Sequence, residues 1–157
     1  MRAILLTLLL SGPSWAEEAF GTWKMNPARS AFAGDAYPKS LTLRIEPHVK
    51  GEVFTMDTIY GDSQTTTFST ILYFDGKPRD FQGPKCSGTQ SSRRMDSRTV
   101  EVLRTCTSGA WTRFVRRLAA KPKELVLEIT EQQPDGRRFE RRLVLEKQSG
   151  AETRQSK

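Results

Sequence analysis

Along most of this chain apolar and polar side chains alternate with a period of two, and the alternation is broken at short intervals by Gly, Pro, Asn and Asp. Leu41, Leu43 and Ile45 alternate with Thr42, Arg44 and Glu46, which is how a strand with one dry face reads. Pro47 is expected to end that strand. Gly21 to Met25 reads as an earlier strand stopped by Asn26-Pro27, with residues 28–32 as one helical turn. Val53 to Tyr60 and Thr65 to Phe74 flank Gly61-Asp62-Ser63-Gln64 and read as a hairpin rich in β-branched and aromatic residues, closed by a turn at Asp75-Gly76-Lys77-Pro78. Thr89 to Arg94 and Thr99 to Cys106 make a second hairpin around Asp96-Ser97. Trp111 to Leu118, Leu125 to Thr130 and Phe139 to Glu146 follow, the last two joined by Asp135-Gly136, a pair favoured in type I′ turns. Sustained helical periodicity is nearly absent. About nine strands in up-and-down order predict an all-β domain, and a meander of that length either closes or leaves two bare edges. The expected architecture is a single antiparallel up-and-down β-barrel of about eight to ten strands. A barrel of about that size is filled by its own side chains or holds one small ligand.

One stretch departs from the alternation. After Arg2, residues 3–10 are almost wholly apolar, Ser11-Gly12-Pro13 breaks the run, and Ser14-Trp15-Ala16 offers small residues at the two positions that a signal peptidase must accommodate. The run is far shorter than the roughly 20 residues that span a bilayer. No cysteine follows the cut, so no lipid anchor is expected. The expected organisation is a signal peptide over 1–16, the barrel over 17–148 and a disordered polar tail over 149–157. The mature protein is then periplasmic or secreted, without a transmembrane segment, and a monomer.

Composition sharpens this picture in two ways. The 157 residues carry a formal charge of +7, unevenly spread: residues 17–76 hold 5 basic and 8 acidic side chains, residues 77–157 hold 19 basic and 10 acidic. The second half therefore favours encounters with anions. Arg93, Arg94, Arg116, Arg117, Arg137, Arg138, Arg141 and Arg142 form a candidate basic patch, whose partner in an exported protein is an anionic envelope lipid or polysaccharide rather than nucleic acid. The two cysteines, Cys86 and Cys106, would meet an oxidising compartment and are expected to form a disulfide worth about 3 kcal/mol in the chain-entropy model. A two-residue turn at Asp96-Ser97 would pair position 87 with 106, leaving Cys86 one place from opposite Cys106.

Gly21-Thr22-Trp23, Pro38-Lys39-Ser40-Leu41-Thr42-Leu43, Phe74-Asp75-Gly76-Lys77-Pro78 and Arg98-Thr99-Val100-Glu101-Val102 together resemble segments of secreted bacterial lipocalin-like proteins. The resemblance implies a lipocalin-like, calycin-type barrel in which the tryptophan of the first strand packs at the closed end against a basic side chain near the last. Trp23 matches the first role, with Gly21 as its companion in the signature, and either Arg141 or Arg142 matches the second.

Candidate chemistry is sparse. The one histidine, His48, lies in Glu46-Pro47-His48-Val49-Lys50-Gly51 and reads as a loop residue, so no metal site is expected. No HExxH, GxSxG, P-loop or GxGxxG occurs. Asp57, Asp62, Asp75 and Asp80 are candidate carboxylates by location only, and read as turn formers. Phe54, Met56, Tyr60, Phe68, Leu72, Phe74, Trp111 and Val115 are candidates for an inward face, lining an apolar pocket or filling the core. Arg113 and Arg117 share a face with Trp111 and Val115; if it points inward they meet an anionic headgroup, and if outward they join the basic surface. The lead expectation is an exported, non-enzymatic barrel that binds a small apolar or amphipathic ligand without a cofactor. The alternative is a cationic module contacting the envelope or another polyanion.

Overall fold

The computed structural model describes residues 18–32, 38–121 and 123–150; the signal segment 1–16 and residues 151–157 of the tail lie outside them. The strands are β1 Gly21–Met25, β2 Ala31–Phe32, β3 Pro38–His48, β4 Gly51–Tyr60, β5 Thr65–Leu72, β6 Arg79–Gly83, β7 Cys86–Arg94, β8 Thr99–Cys106, β9 Trp111–Leu118, β10 Glu124–Gln132 and β11 Arg138–Lys147. Ten of them form one antiparallel wall in the order β5-β4-β3-β1-β11-β10-β9-β8-β7-β6, and β2 adds two residues to β11. The all-β antiparallel barrel is therefore present and nearly closed. Its one seam lies between β5 and β6, the two ends of the path, where side chains replace the ladder. The rings of Phe68 and Phe81 meet at 5.3 Å, and Gln90 Nε2 donates to Thr70 Oγ1 at 3.0 Å.

Local chemistry explains where the structure departs from the expected elements. Residues 28–32 do not form one helical turn. Pro27–Arg29 makes a 3-10 turn and the chain re-enters the wall as β2, because Ser30 Oγ donates to Asn26 O and accepts the Val144 N–H, fastening the turn to β11. Strand β3 runs through Pro47 to His48. The β1 ladder stops at Ile45, so a residue without an N–H costs no ladder bond on that side. The turn at Asp135-Gly136 is not type I′: Gly136 N–H donates to Gln133 O, with only Gly136 at positive φ, because Pro134 locks the preceding position at negative φ. Strand β6, a short edge element, had no place in the expected set.

The β7–β8 register differs by one residue from the expected one. Gly88, not position 87, lies opposite Cys106. That shift puts Cys86 and Cys106 on the same inward face, and the disulfide forms along the diagonal with the two Cα atoms 5.2 Å apart, within the range that a disulfide bridges. Gly88 makes the approach feasible: a Cβ there would stand 2.0 Å from Thr105 O and 2.9 Å from Cys106 Cα. Gly88→Ala is expected to lower stability by roughly 1–3 kcal/mol, read as a shifted urea midpoint with the disulfide kept oxidised; an unchanged midpoint would contradict the close approach.

The core fills one end of the barrel, where Leu43, Ile45, Leu125 and Leu145 are buried around Trp23. Trp23 is 1% exposed and its Nε1 donates to Ala19 O at 2.9 Å. The basic side chain against the indole is neither Arg141 nor Arg142. Lys147, directly opposite Trp23 in the β1–β11 ladder, places Nζ 5.3 Å from the ring and donates to Glu18 O at 2.8 Å. Burial pulls the Lys147 ammonium below its ordinary pKa, against the opposing pull of the Glu18 carboxylate. Among the described residues no helix is long and apolar enough to cross a membrane.

Candidate functional site

Alternation along each strand sends every second side chain into the lumen, and the lumen divides into a filled and an open half. Midway, Arg116 of β9 reaches across to Glu52 of β4 and donates through both Nη atoms to the two carboxylate oxygens, with both side chains about 5% exposed or less. Around this pair Phe54, Leu72, Val100 and Leu127 leave a void of only about 10 Å³. Beyond it, towards the β4–β5, β6–β7, β8–β9 and β10–β11 turns, lies a cavity of about 200 Å³ that opens at the mouth. At about 30 Å³ per water, it has room for on the order of seven waters. Met56, Phe68, Phe81, Phe114 and Ile129 give it apolar walls, while Tyr60, Lys85 and the disulfide's Cys86 stand at the rim.

Arg104 of β8 separates the void from the cavity and borders both. Its guanidinium carbon lies 4.3 Å from the ring centre of Phe68, 4.6 Å from Phe81 and 4.4 Å from Phe114, and its Nε donates to Gln90 Oε1 at 2.9 Å. Among the described residues no carboxylate pairs with it. Burial pulls its pKa down to about 9, which leaves it cationic at neutral pH. Stacking on three faces offsets part of the desolvation of this cation without neutralising it. Gln90 also carries the hydrogen bond to Thr70 across the seam, so the group that orients Arg104 is the one that closes the wall beside it.

At the rim Arg141 of β11 points inward and donates through Nη1 to Glu131 of β10 at 3.1 Å. Its Nε is buried and has no hydrogen-bond partner among the described residues. An adjoining recess of about 160 Å³, bordered by Pro38, Leu41 and Leu143, shares Arg141, Glu131 and Tyr60 with the main cavity.

The structure brings together part of the expected lining. Met56, Tyr60 and Phe68 line the open cavity and Phe54 the void beneath it. Phe74 lies past the end of β5, under the Arg94 guanidinium at 4.3 Å, away from the cavity. In β9 it is the other face that points inward: Phe114 and Leu118 enter the core cluster, and Trp111, Arg113, Val115 and Arg117 lie on the outer face, where Val115 is nonetheless buried. Arg113 therefore lies outside the lumen. It shares Glu101 with Arg93, each at 2.6 Å.

The expected basic patch loses Arg116 and Arg141 to the interior. Of its outer members, Arg117 pairs with Glu128, Arg137 with Asp135 and Arg138 with Glu140, while Arg142 projects from the outer side of β11, opposite Ala31 and Glu128 in the ladders. The surface is a mosaic of both signs rather than one positive face.

Among the described residues no three His, Cys, Asp or Glu side chains are grouped to hold a metal. His48 Nδ1 accepts the Lys50 N–H in the β3–β4 turn. Asp57 accepts from Arg44 and Thr67, Asp62 caps the β4–β5 turn, and hydrogen bonding from Arg79 holds the Asp75 carboxyl well below the usual range. Arg104, Phe81, Phe114 and Glu131 escaped the sequence reading. The signal for Arg104 was present, since Val100, Val102, Arg104 and Cys106 form one period-two face.

No known family matches the sequence, and no curated protein does. Solved structures do resemble the fold. A secretory abundant heat soluble (SAHS) protein from Ramazzottius varieornatus superposes with a TM-score of 0.57 at 8% identity, over 83% of this chain and 96% of that one. As-p18, an extracellular fatty acid binding protein, gives 0.54 at 13% identity, over 87% and 100%. A Schistosoma mansoni fatty acid binding protein in complex with arachidonic acid gives 0.50 at 11% identity, over 85% and 98%. At such identities the likeness is one of fold.

Proposed function

We propose that this protein is a non-enzymatic binder of a small amphipathic acid, held inside the barrel with its carboxylate on Arg104 and its apolar part against Phe68, Phe81 and Phe114. The observation that carries the reading is Arg104 itself, a buried cation at the floor of an open, mostly apolar cavity with no carboxylate partner among the described residues. A buried charge is costly unless it is paired and hydrogen-bonded. An acid entering the cavity supplies that counter-charge while its chain covers the rings. Two of the similar folds are fatty acid binding proteins by name, which supports the ligand class. The Cys86–Cys106 bond supports an oxidising compartment, and with the signal segment 1–16 it favours a periplasmic or secreted protein. The polyanion-binding alternative has weaker support, because carboxylates interleave the outer arginines.

Titration calorimetry with octanoate tests the proposal. Arg104→Met removes the charge at similar volume and is expected to weaken octanoate binding about 10- to 100-fold, the range of a charged hydrogen bond, while leaving the melting temperature unchanged or higher, because an uncompensated buried charge is gone. Equal affinity in the variant would remove Arg104 as the acid's partner. No heat with the unmodified protein would defeat the proposal altogether.

A further inference from the structure

The walls of the barrel mix both signs of charge, but its two ends differ. The connections at the closed end, β3–β4, β5–β6, β7–β8 and β9–β10, carry five basic side chains, Lys50, Lys77, Arg98, Lys121 and Lys123, against two acidic ones, Asp75 and Asp96. The four strand connections at the mouth carry two of each, Lys85 and Arg137 against Asp62 and Asp135. Four carboxylates at the closed end are already engaged. Asp75 accepts from both Nη atoms of Arg79, Asp96 accepts the Arg98 N–H within its own turn, and Glu18 and Glu124 lie 3.6 and 2.6 Å from Arg98 and Arg29. Lys50, Lys77, Lys121 and Lys123 are exposed, and none of them forms a salt bridge among the described residues. The same end bears two apolar tips. Val49, 94% exposed, stands beside Lys50 in the β3–β4 turn, and Met95, 50% exposed, begins the β7–β8 turn.

We propose that the closed end docks the protein on an anionic lipid bilayer, with Lys50, Lys77, Lys121 and Lys123 at the headgroup phosphates and Val49 and Met95 entering the interface between them. Lysines suit that boundary, because their alkyl stems lie along apolar surface while the ammonium groups stay with the phosphates and water. Apolar tips and cations then add, the one by leaving water and the other by attraction to the negative leaflet. An anionic polysaccharide would meet the same lysines, but a polymer hydrated throughout gives Val49 and Met95 no apolar medium to enter. Docked this way, the protein turns its mouth away from the lipid, and the cavity exchanges its contents with the aqueous phase. The attachment does not depend on what the cavity holds.

Flotation of the oxidised protein, recovered after export, with phosphatidylcholine vesicles made with and without phosphatidylglycerol tests the docking. Binding is expected only where phosphatidylglycerol is present, and it should fall as salt is added. Lys50→Gln should weaken it about fivefold, and Lys50→Gln with Lys121→Gln about 25-fold, the effect of one and two cations at an anionic surface. Val49→Ser should weaken it about 3- to 10-fold, the range for an aliphatic side chain partly withdrawn from water. Both sites are exposed turn positions, so these variants keep the fold. Lys39→Gln removes the same charge from an exposed position at the mouth end of β3 and should change nothing. An equal loss in Lys39→Gln would reduce the effect to net charge and overturn the docking face, and so would equal binding to vesicles without phosphatidylglycerol. A Val49→Ser variant that binds as tightly as the unmodified protein would overturn the seating of the apolar tips. Capture on dextran sulfate with no flotation on any vesicle would give the lysines to an anionic polymer and overturn the bilayer.

Discussion

Glu52→Ala is expected to destabilise the barrel by about 3–5 kcal/mol, the cost of stranding a buried charge whose partner has been removed. Arg116 would remain in the lumen with both Nη atoms unpaired, on a side chain 5% exposed, and its neighbours Phe54, Val100 and Leu127 cannot hydrogen-bond to it. Urea denaturation with the disulfide intact measures the loss. Because a buried pair is itself desolvated at a cost, the double replacement Glu52→Leu with Arg116→Met should recover the loss and end between neutral and about 4 kcal/mol more stable than the unmodified protein. A single substitution costing less than about 1 kcal/mol would mean that the pair is not held in a dry lumen. The contact spans the barrel from β4 to β9, which are not neighbours in the wall, so it fixes the distance between opposite walls where the packed half gives way to the open one.

Trp23→Ala should cost a comparable amount, about 3–5 kcal/mol. The ring is almost wholly buried at the closed end, donates to Ala19 O, and underlies the Lys147 ammonium, which in turn holds Glu18 O. Removing it leaves a large void and detaches the segment that seals this end of the barrel. Trp23→Phe, which keeps most of the volume and loses the hydrogen bond, should cost far less, on the order of 1 kcal/mol for the bond. A tolerant Trp23→Ala would contradict the closed end as described. Both losses concern the packed half, so they differ from Arg104→Met, which is expected to change affinity without lowering stability.

Arginine placement shows how far pattern alone reaches. In Trp111-Thr112-Arg113-Phe114-Val115-Arg116-Arg117-Leu118 each alternate face carries an aromatic residue, an aliphatic residue and at least one arginine. Period two identifies the strand but is indifferent to which face is wet. The choice comes from the register against β8 and β10, which puts Phe114 beside Val102 and Ile129. Once that is decided, Arg116 enters the lumen and Arg113 leaves it. Likewise, the Asp96-Ser97 turn was recognisable, but its length sets whether Cys86 and Cys106 share a face, and a shift of one residue reverses that answer.

From the sequence by itself came the antiparallel meander, its closure, the tryptophan of the first strand and the pairing of the two cysteines, because alternation, turn residues and chain order are local properties that survive without coordinates. Tertiary structure alone decided that Lys147 rather than Arg141 or Arg142 covers Trp23, that Glu52 meets Arg116 across 64 residues of chain, and that Arg104 gathers three rings but, among the described residues, no carboxylate. Each depends on which strands face one another across a closed wall. That geometry is set by the stagger of the whole barrel, and no single segment contains it.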